Sequence, residues 1–522
     1  MRHMINPEQN ELFDYYQSIL SPVAYNRLAS GYHAVFRHVI LALLPAKEIA
    51  EHFDEAMGRP TKELYSMAGL VLLKEFHNWT TAEAVDAYLF DARIQYALNI
   101  GRDNVSFCER TLERYMKLIR ENDLAAEIFE RVTTHLVEAL DLEVDKQRLD
   151  STHVFSDMAT FSRTKLMGVT IKRFLVQLKR HHVDLYEQLP EDLRTRYEKG
   201  QNTLFADVSK DKEKRSCLRQ EVAEQMHELI QRFSGHAEIE NMATFKQLLA
   251  VFEQQCEVID VIGVQDDSND TDPEAVTAGN EAAETEEPAE SQVTVRKKTG
   301  GDVIQNPSDP DATYDGHKGP GYQVQLSETS NPENDIQLIV GAIPETAADT
   351  DSAATGKMLA QLEEKDILPD TLTADSAYGG DDNVLSAKEK GVDVISPVAG
   401  PIPKEVPAEP TDKQRRLQKR RELQETDEWR KEYNSRAQIE GTIGSVKRKT
   451  GMVRLRYRGK SSVYAAMLLK ITGWNISRAA VSEKIRKIVR EKVHTTVESP
   501  KRTRTRVDCV QTMPVGILRE AA

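Results

Sequence analysis

The sequence predicts a mixed α/β core, split by a long helical insertion and preceded by an all-helical region. Three patterns carry this. Helical apolar spacing runs through residues 1–135. Period-two alternation marks short strands within 142–154, 322–340 and 371–375. Between the first strand and the others, residues 161–261 return to helical spacing. A chain of 522 residues is too long for one core, so two to four domains are expected.

In the N-terminal region, 12–20, 34–44, 61–76, 82–97 and 107–121 have the spacing of helices. Thr80 with Glu83, and Ser106 with Glu109, are candidate capping boxes. Residues 99–104 form a turn-rich connection, and the helix after it carries Arg110, Arg114 and Lys117. This reads equally as a helix-turn-helix-like reader of DNA or as a helical bundle with ordinary surface charges. Trp79 and Tyr88 fit a core better than a base-stacking surface.

The first strand places Asp150 beside Leu149. A carboxylate inside a half-buried strand is costly unless it is paired or holds a metal. Alternation turns His153 to the opposite face, where a structural role is expected. The region 161–261 is helical and inserts into the core. Residues 318–340 read as a hairpin opened by Lys318-Gly319-Pro320-Gly321. A helix follows over 352–365. The next strand ends at Asp375 before a glycine turn, a position where sites form in α/β sheets. Another strand is expected over 392–398, a basic strand-like run over 452–458, and an apolar helix over 464–477 with Trp474 packed on the sheet.

Residues 433–447 read as a helix. Tyr433, Arg436, Glu440 and Lys447 fall on one face of it, and Ile439, Ile443 and Val446 make a separate apolar stripe. The face combines a hard oxygen ligand with groups that bind phosphate oxygens, Arg as a planar fork and Lys as a point charge. The same pattern also describes a solvated face with ion pairs three and four residues apart.

Tyr433, Arg436, Glu440 and Lys447 resemble the Tyr-Arg-Glu-Lys motif around the last acidic residue of DDE insertion-sequence transposases. The string Asp150-Ser151-Thr152-His153 is similar to the segment with that family's first Asp. Residues 374–380, around Asp375, resemble its second, and 72–99 resembles its N-terminal domain. The resemblance implies a ribonuclease H-like catalytic core with Asp150, Asp375 and Glu440 as catalytic and metal-binding residues, and with Tyr433, Arg436 and Lys447 on DNA. It implies two Mg²⁺ ions, with Mn²⁺ able to substitute, which hard oxygen ligands suit better than zinc. It implies phosphodiester cleavage at transposon ends, then strand transfer by the freed 3′-hydroxyl. The implied partners are double-stranded DNA, in terminal repeats and target, and a second copy of the chain. The rivals are a ribonuclease H-like nuclease that cuts without joining, and a DNA-binding regulator without catalysis.

The expected division is 1–135 for DNA-end binding, 140–160 with 313–480 for the catalytic core, 161–262 for the insertion, 263–312 for an acidic disordered linker, and 481–522 for a basic tail. The net charge of −15 is unevenly spread. Residues 265–292 hold ten acidic and no basic residues, whereas 411–460 hold sixteen Lys and Arg against seven Asp and Glu. The field near residues 411–460 is therefore positive despite the total. The acidic stretch is expected to be either a solubilising tether or a screen over the basic surface. The tail is expected to lie free or to embrace phosphates. Four scattered cysteines, Cys108, Cys217, Cys256 and Cys509, fit a reducing compartment. No apolar run reaches membrane-span length. A cytoplasmic, nucleoid-associated protein of a bacterial or archaeal cell is expected.

Overall fold

A computed structural model describes the chain except for residues 9–13, 101–106, 199, 201–203, 206–210, 261–290, 402–408 and 498–522. Everything near the site is arranged around strand β1 (Lys146–Val154), which is central in a mixed sheet. On one side β1 pairs antiparallel with β5 (Gly319–Thr329), and β5 pairs antiparallel with β6 (Ile339–Thr346) and with the short β4 (Thr313–Asp315). On the other side β1 pairs parallel with β7 (Thr371–Ala374), and β7 with β8 (Asp393–Ile395). Leu326, Val324 and Tyr322 of β5 lie opposite Asp150, Thr152 and Val154, so the Asp150 carboxylate sits beside a buried apolar stretch of β5.

Both faces are covered. Helix Asp351–Glu364 buries Ala354, Met358, Leu359 and Leu362 against Leu149, Val340 and Leu372. On the other face lie helices Leu124–Leu140, Ala437–Thr450 and Lys460–Ala479. Their core runs without a break into the N-terminal helices, including Leu64–Phe76. Gly473 allows this contact, since a side chain there would meet Phe76 at 2.5 Å. A buried polar cluster lies beside it. Lys470 Nζ donates to the carbonyls of Glu75 at 2.9 Å and Thr450 at 2.8 Å, and Lys74 Nζ donates to Tyr457 Oη at 2.6 Å.

The insertion packs round its own core. Helices Arg163–His181, Lys212–Phe233 and Ala243–Gln255 bury Phe174, Met226, Phe233 and Leu248 together. It closes with a two-stranded ribbon, β2 (Cys256–Asp260) against β3 (Ser291–Val295).

Several expectations change. The expected linker is shorter than 263–312, because Val293 and Ile304 pack into the insertion core and Asp309 accepts from Tyr322 Oη at 2.7 Å. These few apolar residues outweigh the acidic composition before them. The acidic run itself, like the tail beyond 497, lies outside the described residues. The start of the expected tail is a helix, Glu483–Val497, which buries Ile485 and Val489. The basic run 452–458 is no strand; only Arg454 bridges, to Phe155. Trp474 is only partly buried, with Lys449 Nζ 5.8 Å from its ring. The helix expected over 82–97 is two, Thr81–Phe90 and Ala92–Ala97, because Asp91 caps the second through Arg93 N. The Thr80–Glu83 capping box is present, and Tyr88 is buried.

The N-terminal helices hold three histidines, His33, His38 and His77, whose pKa values burial lowers to about 4. A folded-state value below the unfolded 6.5 means that the unfolded chain binds more protons. Their contribution is therefore complete above 6.5 and is lost as pH falls towards 4. His77 stacks on Trp79 with ring centres 4.4 Å apart. His77→Phe should keep that stack and flatten the fall of melting temperature between these pH values. An unchanged slope would refute the assignment.

Candidate active site

Pairing of β1 with β7 ends at Leu149 opposite Ala374. The next residue on each strand is an aspartate, so Asp150 and Asp375 leave two adjacent parallel strands at one level, where neighbouring backbones lie about 4.8 Å apart. Asp150 stays on the strand because β5 continues to pair with it. Asp375 sits where β7 ends, and its Oδ1 accepts from Ala377 N at 2.8 Å. Gly379 completes this turn under compulsion, since a Cβ there would lie 2.1 Å from Ser396 Oγ. Ser396 Oγ donates to the Asp375 carbonyl at 2.6 Å.

Glu440 comes from the helix Ala437–Thr450, whose Ile439, Ile443 and Val446 are buried as their spacing predicts. The expected single helix over 433–447 is instead two. Tyr433 lies in the last turn of the helix Asp427–Asn434, and Arg436 is the N-cap of the next. Asn434 and Ser435 are poor in helix interiors, and the chain tightens through them with Ser435 N on Glu432 O and Arg436 N on Tyr433 O. Tyr433, Arg436 and Glu440 stay together across the break. Arg436 Nη2 donates to Glu440 Oε1 at 2.7 Å, and its Nη1 reaches Asp150 Oδ2 at 3.5 Å. Its guanidinium carbon lies 6.0 Å from the Tyr433 ring centre, and Trp429 stacks on the other side of the motif, 4.8 Å from Tyr433 at 16°. Lys447 lies two turns beyond Glu440, half-buried, with no acidic partner among the described residues.

Electrostatics single out Asp150. Burial pushes its carboxyl up to about 6; the Ser151 amide and Arg436 oppose this, and the carboxylates of Asp375 and Glu440 add to it. Among the described residues, no group of three or more His, Cys, Asp or Glu closes round a point where a metal would sit. Arg436 stands between Asp150 and Glu440. Even so, the donors suit a hard divalent cation: all are carboxylates, and Asp150 is a half-buried one whose negative neighbours a cation would relieve.

Residues 305–476 match the family described as Transposase DDE domain. The chain carries a transposase DDE domain. The resemblance to DDE insertion-sequence transposases, read from the motif, therefore holds. The matched span contains Asp375, Tyr433, Arg436, Glu440 and Lys447; Asp150, on β1, precedes it. No curated protein and no solved structure matches the chain. Transposases of this family act on DNA, and DDE domains use divalent metal ions. No helix among the described residues is long and apolar enough to cross a membrane.

The DDE domain also has supports that the sequence reading passed over. Arg148, two residues before Asp150 on the same strand face, is buried and forms an ion pair with Glu328 at 2.7 Å. It also donates to Ser435 O at 3.2 Å and to Gln438 Oε1 at 2.8 Å, and Thr442 Oγ1 donates to Glu328 at 2.8 Å. The pair thus ties β1 and β5 to the helix that carries Glu440. Alternation along β1 was the available signal. A basic helix, Asp412–Gln424, buttresses the Asp375 turn: Arg420 donates to Gly379 O at 3.0 Å and Ser396 O at 3.1 Å. Its capping box, Thr411 with Gln414, was legible in the sequence.

Proposed function

We propose that this transposase cleaves phosphodiester bonds at the ends of a DNA element and joins the freed 3′-hydroxyl to target DNA. The observation that carries the reading is Asp150 and Asp375 side by side on parallel strands, with Glu440 tied to Asp150 through Arg436. The strand order β6-β5-β1-β7-β8, antiparallel on one side of β1 and parallel on the other, supports a ribonuclease H-like core.

In this reading Asp150, Asp375 and Glu440 hold divalent cations, Mg²⁺ by preference. Bound there, the cations would supply Lewis-acid stabilisation for in-line displacement at phosphorus. The chain's own part is positioning and charge. Arg436, oriented against Tyr433, presents a fork to phosphate oxygens, and Lys447 offers a point charge further along the helix. The Arg110, Arg114 and Lys117 side of helix Glu109–Glu121 would hold the transposon end. Two copies of the chain would assemble on DNA in the cytoplasm.

The decisive experiment incubates the protein with Mg²⁺, labelled DNA bearing the element's own ends, and a target plasmid. Cleaved ends that become covalently joined to the plasmid support transposition. Cleavage without joining would favour a nuclease, and binding without either a regulator.

A further inference from the structure

Beyond Leu149 strand β1 outruns β7. Between Leu149 and Phe155 its β7-side edge carries no ladder among the described residues; pairing resumes only at Phe155, through Arg454. Lys318, in the turn before β5, reaches that stretch, with Nζ 3.3 Å from Ser151 Oγ. Lys447 belongs to the helix on the opposite face of the sheet. Neither lysine has an ion pair among the described residues, although the Asp315 carboxylate is near Lys318 and accepts its backbone N–H at 2.6 Å. Burial first, and then the nearby Lys318 ammonium, lowers the pKa of Lys447.

His153, two residues beyond Ser151 on the same strand face, is 8% exposed and has no side-chain hydrogen-bond partner; the Pro320 backbone is its polar neighbour. Its ring sits against Gly321, where a Cβ would lie 3.2 Å from Nε2. Burial keeps the ring neutral, with Lys318 and Lys447 acting in the same sense and Pro320 and Asp315 against it. A neutral imidazole retains one N–H to donate. Lys318 also borders a cavity of about 450 Å³, but its other charged lining residues, Asp302, Asp315, Asp349 and Asp351, would repel an anion. An anion drawn to Lys318 is thereby directed to the β1 edge.

We infer that the free edge of β1 between Lys318 and Lys447 holds a DNA backbone phosphate next to the cleavage site, with Lys318 as a positioning residue outside the Tyr-Arg-Glu-Lys motif. This rests on the reading of the chain as a transposase that binds DNA. Half-buried Lys447 has no ion pair among the described residues, so a phosphate beside it supplies the missing counter-charge, and exposed Lys318 can reach the same phosphate from the other face.

The test is fluorescence anisotropy of a labelled random-sequence duplex in EDTA across a salt series, with thermal melting of each protein alongside. Lys318→Gln and Lys447→Gln should each weaken binding and lower the salt slope by about one, and Lys318→Arg should restore it. If one phosphate serves both lysines, the double variant loses less slope than the two single losses added. The glutamine variants should melt at or above the wild-type temperature, whereas a structural lysine would lower it. An unchanged slope in Lys318→Gln, with the expected loss in Lys447→Gln, overturns this inference and leaves the DNA reading standing. No salt-dependent binding by the wild type overturns both.

Discussion

Asp375→Asn is expected to remove Mg²⁺-dependent cleavage while leaving DNA binding in place. The substitution is a clean one. Asp375 Oδ1 accepts the Ala377 amide, and an asparagine oxygen accepts it equally well, so the turn after β7 should persist. What is lost is one negative charge at the level of Asp150. That weakens the hold on a divalent cation and leaves Asp150 with one fewer carboxylate beside it. A fall of at least about 10²–10³-fold in single-turnover cleavage is expected, the scale for removing one group that stabilises transition-state charge. Melting temperature and anisotropy with end DNA should match the wild type. Cleavage at the wild-type rate would remove Asp375 from the site. Asp150 gives a less decisive variant, because it sits inside a paired strand against Arg436 and a loss there mixes folding with chemistry.

Sequence alone placed the strands and the helix that carry these residues where local chemistry and periodicity agree. Asp150 and Asp375 were legible because each follows strand-forming residues and breaks an apolar pattern. Glu440 was legible through Ile439, Ile443 and Val446, whose burial fixes the helix face. What stayed hidden depends on tertiary pairing. Nothing local marks Glu328 as the partner of Arg148, 180 residues away in the chain. The break at Asn434–Ser435 was missed because apolar spacing carries on through it; only the side-chain competition for backbone bonds hints at it. Composition misled at 291–312, where Val293, Ile304 and Asp309 are anchored by contacts with distant segments. In the same way, the continuous core between the N-terminal helices and Lys460–Ala479 could not be read from either segment alone.

Arg148→Met should be among the most destabilising single changes in the DDE core. Both side chains of the Arg148–Glu328 pair are 3% exposed, so solvent does little to screen either charge. Removing the guanidinium leaves Glu328 buried with Thr442 as its remaining side-chain donor. A loss of about 3–5 kcal/mol is expected, much of it the penalty of the stranded carboxylate rather than the worth of the pair. The pH dependence follows from the same charge. Burial already raises the Glu328 pKa above its usual 4.5, against the pull of Arg148 and Thr442. Without Arg148 it rises further. A raised folded-state value favours the folded chain at low pH and is lost as pH rises through it, so the variant's deficit should grow from acid towards neutral pH. The double variant Arg148→Met/Glu328→Leu replaces both charges with apolar groups and should recover most of the stability, as buried pairs exchanged for hydrophobic residues often do. It should not recover cleavage. Arg148 also holds Ser435 O and Gln438, the start of the helix that presents Arg436 and Glu440 to Asp150, and methionine holds neither. Denaturant melts and single-turnover cleavage on the same three proteins separate the two roles. Recovery of stability and cleavage together would reduce the pair to a packing element, whereas stability without cleavage marks it as the fixture that sets Glu440 against the strand aspartates.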